Sequence, residues 1–411
     1  MRSNYKRIGD FIELVDERNK DLKVTKLLGL SVTKEFIPSV ANIVGTDMKN
    51  YKIIRKGQFA CSIMQVRRDG KMPVALLQDE KEAIISQAYP VFKVKDESKL
   101  LSEYLMMWFS RSEFDRQATF HAVGGVRGSL EWEDFMNFEL PIPSIEKQRS
   151  IVKEYNTVVN RIKLNEELNQ KLEETAQAIY KEWFVDFEFP ITEESCPELA
   201  SESPHLIGKP YKSSGGKMVW NEELDKEVPE GWEVVNCDSI ASISAGGDKP
   251  KEYSPFETEN HQIPIYSNST FDDGLFGYTN VAKILNKSVT ISARGGIGFT
   301  SLRTKPYVPI VRLIVVLPNE IHFLNYLYHC LSNIEYNDIA SAQAQLTIPD
   351  VSIFKILKPK ENILNSFQCL SKVVYDSIEL KKKTNKKIDG FRNMILSKMS
   401  KIELEKEIKS E

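Results

Sequence analysis

The length, composition and charge of the chain limit the class of protein to which it can belong. It has 411 residues, of which 41% are hydrophobic, and its formal net charge at pH 7 is −3. This is enough sequence for two or three domains with cores of their own, and too apolar a composition for a disordered chain. The charge argues against a DNA-binding domain that works alone, because neutralisation of phosphates supplies much of the affinity for DNA.

Targeting segments and metal-binding cysteine patterns are missing from the sequence. The chain begins without an apolar leader, and no run approaches about 18 apolar residues. The cysteines are odd in number, scattered and never in a Cys-x-x-Cys pair, which indicates reduced thiols rather than a disulfide framework or a zinc site. We therefore expect a cytoplasmic protein with no membrane contact. The five cysteines are Cys61, Cys196, Cys237, Cys330 and Cys369.

Strand-like and helix-like sequence alternate along the chain. Short β-branched and aromatic runs, separated by turn residues, predict strands at the start, and one helix-like stretch from Glu97 to Phe120 interrupts them. A polar Ser/Glu/Pro/Gly stretch in the middle is typical of a loosely ordered linker. The predicted boundaries are 1–143 for the first globular domain, 144–189 for the first long helix, 190–231 for the linker, 232–359 for the second globular domain and 360–411 for the second long helix.

Both long helices carry a heptad seam, and the second repeats the first 216 residues later, as 374 − 158 shows for Val374 and Val158. Spacings that alternate between four and three residues are typical of a coiled coil, and Ser144 is the predicted N-cap of the first helix. The seam comprises Ile151, Tyr155, Val158, Ile162, Asn165, Asn169, Leu172, Ala176 and Ile179 in the first helix, and Phe367, Val374, Ile378, Asn385, Ile388 and Ile395 in the second.

Two packing arrangements fit this seam. Each helix could pack only on its own domain, or the two helices could pack on each other in antiparallel fashion, with Asn169 and Asn385 fixing the register. We favour the second arrangement. The sequence thus predicts an α/β protein in which two mixed α/β domains are separated by two long helices that form an antiparallel coiled coil, with an internal pseudo-two-fold repeat.

With these parts in place, the sequence resembles the specificity subunit of type I restriction–modification enzymes. The resemblance covers nearly the whole chain and includes the order of variable unit and helix, repeated twice. The second helix opens with Glu361-Asn362-Ile363 and lacks the Glu-x-Gln pattern of the first, which leaves open whether both helices contact a partner in the same way. The stretches that carry the resemblance are LPIPSIEKQ at 140–148, YKEWFVDFE at 180–188, VPEGWEV at 228–234 and ISARGGIG at 291–298.

The resemblance implies a non-catalytic subunit of a DNA-recognition complex. Each variable domain would be a target recognition domain that reads one half of a split, asymmetric site on double-stranded DNA. The helices would set the gap and dock two adenine-N6 methyltransferase subunits, which flip an adenine out of the stack, and restriction subunits that act as motor and nuclease would join them. S-adenosylmethionine, ATP and magnesium would belong to these partner subunits.

Candidate DNA-binding residues lie in loops of both domains. Arginine, lysine, asparagine and glutamine read base edges or grip phosphates, and each domain offers a glycine–arginine turn after a strand and a polar loop before its final strand. The first turn is expected at a hairpin tip. Each loop could equally be a solvated turn, since glycine with lysine or arginine is ordinary loop composition. The candidates are Gln65, Arg67, Arg68, Lys71, His121 and Arg127 in the first domain, and Arg294, Arg303, Lys305, Gln343 and Gln345 in the second.

Motifs for catalysis are missing. The sequence has neither the Asn-Pro-Pro-aromatic motif of adenine methyltransferases nor a phosphate-binding glycine loop, and the histidines lack the spacing of a metal site. A nuclease pattern can be forced onto Pro349-Asp350 with Glu379 and Lys381, but the last two fall on the predicted helix. Two alternatives to the specificity subunit stay open: a free-standing DNA-binding regulator and a non-catalytic coiled-coil adaptor.

Overall fold

The computed structural model describes residues 5–39, 47–124, 128–336 and 345–399. The chain forms two compact units, of which the first combines Met1–Glu166 with Lys382–Glu411 and the second is Glu167–Lys381. Each long helix is therefore divided between the units, and each unit contains part of both helices. Among the described residues, no helix is both long and apolar enough to cross a membrane.

A four-stranded antiparallel sheet organises the first unit. Its strands lie in the order Ile12–Val15, Val91–Val94, Phe59–Cys61 and Val74–Leu76. Buried aromatic residues pack around it, and the rings of Phe59 and Phe92 stack with centroids 4.9 Å apart. The other strands pair as Tyr5–Arg7 with Glu139–Pro141, Leu28–Leu30 with Phe36–Pro38, and Lys52–Arg55 with Glu82–Ile85.

Helices complete the first unit. The stretch predicted as one helix from Glu97 to Phe120 forms two, Ser102–Phe109 and Ser112–His121, because the chain turns at Ser110 and Arg111. Phe109 and Phe114 are both buried, so the break lets both segments face the sheet. The remaining helical elements are the 3-10 turns Ile8–Asp10 and Met48–Asn50 and the helices Val66–Asp69 and Trp132–Asn137.

The second unit repeats the topology of the first. Across its four-stranded sheet, the strands lie in the order Ala241–Ala245, Ile314–Pro318, Ser288–Ile291 and Thr300–Arg303. Numbered by their order in the sequence, the strands of both sheets therefore lie side by side as first, fourth, second and third. The internal repeat read from the helices therefore extends to the sheets. The other strands pair as Glu233–Asn236 with Lys355–Lys358, and Ile263–Tyr266 with both Leu275–Thr279 and Val308–Pro309. The helices are Cys237–Ile240, Phe323–Ser332 and Ile348–Ser352, and a turn spans Phe271–Gly274.

The stretch 190–231 contributes several side chains to the core of the second unit, so the prediction of a loosely ordered linker was wrong. Ile191, Tyr211 and Val228 are buried in the same cluster as the sheet residues, and the Tyr211 ring stacks on Phe189 with centroids 4.5 Å apart. The buried apolar residues of this stretch are isolated rather than periodic, so they give no pattern from which burial could be predicted. The elements of this stretch are the helix Pro197–Glu202, the 3-10 turn Pro204–Leu206 and the hairpin Met218–Asn221 with Lys226–Pro229.

The long helices Ile145–Tyr180 and Glu361–Lys398 pack in antiparallel fashion within each unit. In the first unit, Val152 shares a core cluster with Ile395 near the far end of the second helix. In the second unit, Ala176 shares a cluster with Tyr375. Every predicted seam position is buried or half-buried. The predicted antiparallel coiled coil is therefore confirmed, and the first helix ends in a π-helical turn, Lys181–Val185.

The seam asparagines named in the sequence analysis have different surroundings. Asn385 accepts a hydrogen bond from Asn165, with 2.6 Å between Nδ2 and Oδ1, and it donates to the carbonyl of Ile162 at 3.4 Å. The Oδ1 of Asn169 is buried and has no hydrogen-bond partner among the described residues. Asn385 thus bonds across the helix pair to Asn165, one helical turn before Asn169, and the register role of Asn169 and Asn385 stays a prediction.

A buried polar cluster joins the helix Phe323–Ser332 to both long helices inside the second unit. Glu173 accepts hydrogen bonds from the hydroxyl groups of Tyr328 at 2.9 Å and Tyr375 at 3.3 Å. The same Tyr375 oxygen lies 2.9 Å from Nε2 of His329. Burial lowers the pKa of His329 to about 4, so this imidazole is neutral at pH 7. The cluster fixes the helix Phe323–Ser332 of this unit on the helix pair.

Replacing Asn385 with leucine should destabilise the protein. Asn165 is only 2% exposed and would lose its partner, which costs about 1–3 kcal/mol of unfolding free energy. The double variant N165L/N385L should recover most of this loss, because replacing both partners with apolar groups is nearly neutral. Denaturant titration of the single and double variants measures the coupling. Asn393→Leu replaces an exposed asparagine on the same helix and is the matched control. If the effects of N165L and N385L simply add in the double variant, the two residues do not pair.

Candidate nucleic-acid interface

The candidate turn of the first unit, residues 65–71, lies between the antiparallel strands Phe59–Cys61 and Val74–Leu76. The predicted hairpin connection is thus present, but it contains the short helix Val66–Asp69 rather than a simple tip. Gln65 enters this helix in a left-handed conformation with φ of 61°. The short helix could not be predicted from the sequence, because four residues are too few to show a helical periodicity.

The cations of this turn are exposed because Val66 anchors it in the core. Arg68 forms a two-point ion pair with Asp69, with Nε and Oδ1 2.7 Å apart, and this carboxylate raises the pKa of Arg68. Much of the charge of Arg68 is therefore already compensated. Arg67 and Lys71 are also exposed.

Arg67 connects the candidate turn to the second candidate loop of the first unit. Its backbone amide donates to the carbonyl of Gly128 at 3.1 Å, and its guanidinium donates to the carbonyl of Gly124 at 3.1 Å. His121 precedes this loop, is exposed, and lies with its ring 5.4 Å from that of Phe120. Two loops more than fifty residues apart in sequence thus form one surface. Arg127 lies outside the described residues.

Arg294 and Gln345 form the corresponding surface in the second unit. The Nε of Arg294 donates to Oε1 of Gln345 at 2.9 Å, and both lie beside Ala293, whose carbonyl accepts from the amide of Leu346 at 2.9 Å. The Arg294 turn connects the second and third strands in chain order, the same connection that carries the Arg67 turn in the first unit. The two arginine turns therefore occupy the same connection in both sheets. Gln343 lies outside the described residues.

Arg303 is buried in the core of the second unit, which does not fit its predicted place on a DNA-facing loop. It is 6% exposed, and its guanidinium stacks on the Tyr266 ring at 3.7 Å. Nε donates to the Thr290 hydroxyl at 2.9 Å and Nη2 to the carbonyl of Asp273 at 2.7 Å. Burial lowers its pKa, while the hydrogen-bonding groups around it favour the charged form. Arg303 therefore acts inside the unit, as a support for the turn at Asp273.

Lys305 faces the second long helix. Its Nζ lies 2.8 Å from Oε1 of Glu379, and the hydroxyl of the preceding Thr304 donates to the other oxygen of that carboxylate at 2.8 Å. The side chain of Lys305 is 63% exposed, so it keeps access to solvent, but its charge is compensated. Arg303 and Lys305 are thus held by Asp273, Thr290 and Glu379, although both follow Arg294 closely in sequence.

The geometry agrees with what comparison with known proteins finds. A family model described as the type I restriction modification DNA specificity domain matches residues 3–174 and 229–389. The chain belongs to this family. The two matched stretches correspond to the two repeats, which confirms the resemblance drawn from the sequence. Specificity subunits are non-catalytic components of type I systems, as expected for this chain.

Two relatives and one solved structure illustrate the family. The chain is 25% identical over 320 residues to the MjaIX specificity subunit of Methanocaldococcus jannaschii, covering 73% of this chain and 68% of that protein. It is 23% identical over 418 residues to the HindI specificity subunit of Haemophilus influenzae, covering 88% and 89%. The crystal structure of a type I S subunit from M. genitalium shares the fold, with a TM-score of 0.55 at 13% identity over 96% of this chain and 95% of that one.

Sequence reasoning on this specificity subunit missed two prominent side chains. Phe120 and Phe271 are the most exposed large hydrophobic residues in the described part of the chain, at 84% and 83%. Phe120 was hidden because it ends a helical stretch whose other apolar residues, such as Phe114 and Ala118, face the core. Phe271 precedes Asp272-Asp273-Gly274, and a turn signal after an aromatic residue could have drawn attention to it.

Arg303→Ala should destabilise the second unit strongly. It removes the donor to the Thr290 hydroxyl and to the Asp273 carbonyl, and the stacking on Tyr266, so we expect a loss of about 2–4 kcal/mol in unfolding free energy. Lys305→Ala, which breaks an exposed ion pair nearby, should cost no more than about 1 kcal/mol. Thermal and denaturant unfolding compare the two variants. Equal effects would contradict the supporting role of Arg303.

Proposed function

We propose that this specificity subunit reads a bipartite, asymmetric site on double-stranded DNA, one half with each globular domain. The observation that carries the proposal is the repeated topology. In each unit, the connection between the same two sheet strands exposes an arginine, Arg67 or Arg294, beside a second loop from later in the chain. Two similar scaffolds with different side chains on equivalent turns suit the reading of two different half-sites.

The long helices would dock two adenine-N6 methyltransferase subunits. Leu164 and Leu380 are 216 residues apart, so they occupy equivalent positions of the repeat, and both lie off the seam with 47% and 65% exposure. The repetition of this position, rather than the exposure of either leucine, supports two equivalent contacts with a protein partner. Restriction subunits would join this assembly, and S-adenosylmethionine, ATP and magnesium would belong to the partner subunits.

The chain's own part in the reaction is to select and hold the DNA. Arg294 is oriented by the amide oxygen of Gln345, which leaves its outer guanidinium edge suited to two-point contact with guanine. Once both half-sites are bound, a methyltransferase on the helices would meet an adenine at a fixed place in the duplex. Flipping that adenine from the stack gives the partner access to its amino group.

Co-expression with the methyltransferase subunit of the same system tests the proposal. Sequencing the host DNA for N6-methyladenine should find a split motif with a fixed gap. Arg294→Ala should relax one half of the motif and Arg67→Ala the other, since each arginine belongs to a different unit. Loss of discrimination at both halves from either single variant would contradict one reader per half. Methylation that matches a control without this chain would favour a free-standing regulator or an adaptor.

Lengthening both long helices by one heptad tests their proposed role as the spacer. Seven residues add about 10.5 Å of helix and keep the seam on the same face. At about 3.4 Å per base pair, we expect the same half-sites with a gap longer by roughly three base pairs. The same methylation sequencing reads the result. An unchanged gap would show that the helices do not set the spacing.

A further inference from the structure

Phe120 and Phe271 are exposed in a way that packing does not explain. At 84% and 83% exposure, each ring lies almost entirely in solvent. Phe120 lies in one unit and Phe271 in the other, and each stands beside the exposed arginine turn of its own unit. They do not occupy equivalent positions of the repeat, so shared ancestry does not account for the coincidence.

The backbone that carries Phe271 is held in an uncommon conformation. Asp272, Asp273 and Gly274 follow it with φ values of 49°, 52° and 81°, which places three successive residues in the left-handed region. This region is unfavourable for residues other than glycine and persists where the surrounding structure enforces it, often at functional sites. Arg303 provides part of that enforcement through its 2.7 Å hydrogen bond to the carbonyl of Asp273. A buried arginine thus braces a turn whose outermost side chain is a phenylalanine.

The same turn is tied to the Arg294 surface. The Oδ1 of Asn268 accepts from the amide of Ala293 at 2.8 Å, and the Ser292 hydroxyl donates to the carbonyl of Asn268 at 2.8 Å. Gly296 approaches Thr270 so closely that a Cβ atom there would lie 2.2 Å from its methyl group. The turn of Phe271 and the turn of Arg294 therefore form one rigid surface.

The charges around Phe271 indicate what it would face. Asp272 and Asp273 are exposed and would repel phosphate, but carboxylates can accept hydrogen bonds from the cytosine amino group. Arg294 carries the complementary ability toward guanine. A lone aromatic ring among such groups does not form the contiguous apolar patch of a protein interface. It matches the apolar wedge of proteins that insert a side chain between base steps.

The surroundings of Phe120 are similar. It occupies the last turn of the helix Ser112–His121, against which the Val66–Asp69 turn packs. Its ring meets that of exposed His121 edge-on, with centroids 5.4 Å apart. Gly124, four residues on, binds the Arg67 guanidinium through its carbonyl. Phe120 thus projects from the surface to which the candidate residues of the first unit belong.

We propose that Phe271 and Phe120 are wedge residues that insert between base steps of the duplex, each at the edge of the half-site read by its own unit. The inference rests on the proposed DNA-reading function and adds a physical step to it. Each ring would unstack one base step and bend the duplex, so that half-site recognition depends on the deformability of a step as well as on base-edge contacts.

The test uses the complex of this chain with its methyltransferase subunits and a duplex that carries the methylated motif. 2-Aminopurine is placed at successive steps around each half-site, away from the target adenine, and its fluorescence reports unstacking. We expect the wild-type complex to raise the signal at one step near each half-site. Phe271→Ala should abolish the rise at one half-site only and weaken binding about tenfold or more, as removal of a base-stacking aromatic does.

Matched variants separate a wedge from a structural role. Phe271→Leu should retain most of the signal, because leucine also serves as a wedge. Phe256→Ala removes another phenylalanine of the same unit, 76% exposed, and should leave signal and affinity unchanged. Phe120→Ala should act at the other half-site. Thermal unfolding should not distinguish these variants from wild type, because all three side chains are exposed.

The outcomes are distinct for the wedge and for the proposed function. If the wild-type complex methylates its split motif and Phe271→Ala behaves like Phe256→Ala, the wedge is wrong and the DNA-reading function stands. If Phe271→Ala loses the signal at both half-sites together, local insertion is also wrong. A wild-type complex that shows no site-specific methylation would overturn the proposed function and the wedge with it.

Discussion

The core of the first unit depends on burial of residues in the last turn of the second long helix and directly after it. Ile395, Leu396 and Met399 are 6%, 7% and 0% exposed and belong to the same cluster as Val152 and the sheet residues of that unit. Burial of three such side chains stabilises by about 5–9 kcal/mol at roughly 1.5–3 kcal/mol each, which is comparable with the whole stability of a domain. The first unit is therefore incomplete until the chain has passed through the second unit and returned. This makes the antiparallel helix pair a requirement of folding, as well as a spacer in the proposed function.

The seam shows the difference between positions that are equivalent by duplication and positions that touch. The repeat aligns Asn169 with Asn385, since 385 − 169 is 216, and both were expected to fix the register of the helix pair. In an antiparallel pair, however, the two helices run in opposite directions, so residues at equivalent positions of the repeat do not in general lie opposite each other. Asn385 lies opposite Asn165. The repeat equivalent of Asn165 is position 381, which is a lysine, so the symmetry of the seam is broken there. As a result of this asymmetry, the buried Oδ1 of Asn169 has no hydrogen-bond partner in the described part of the chain.

Much of the architecture could be predicted from the sequence because periodicity records which face of a helix or strand is buried. The two long helices, their seam and the two strand-rich domains followed from such patterns. The burial of single residues in irregular segments could not be predicted from such patterns. Tyr211 stacks on Phe189 and donates to the carbonyl of Lys217, and Arg303 is held by Tyr266, Thr290 and Asp273, which come from three separate segments. These partners are brought together by the tertiary fold, and local sequence carries no sign of them.

Four candidate cations, Arg68, Arg294, Arg303 and Lys305, bear on how a chain with a net charge of −3 could serve the proposed DNA-reading role. Arg68 and Lys305 are compensated by Asp69 and Glu379, and Arg303 is in the core, so none of them adds much free attraction for phosphate. Arg294 is held instead by the neutral amide of Gln345, which orients the guanidinium without cancelling its charge. Such a surface favours a few directional contacts with bases over a broad grip on the backbone. In the proposed complex, the non-specific part of the affinity would then have to come from the partner subunits, which is why the acidic balance weighs against a protein that binds DNA alone and not against a subunit of an assembly.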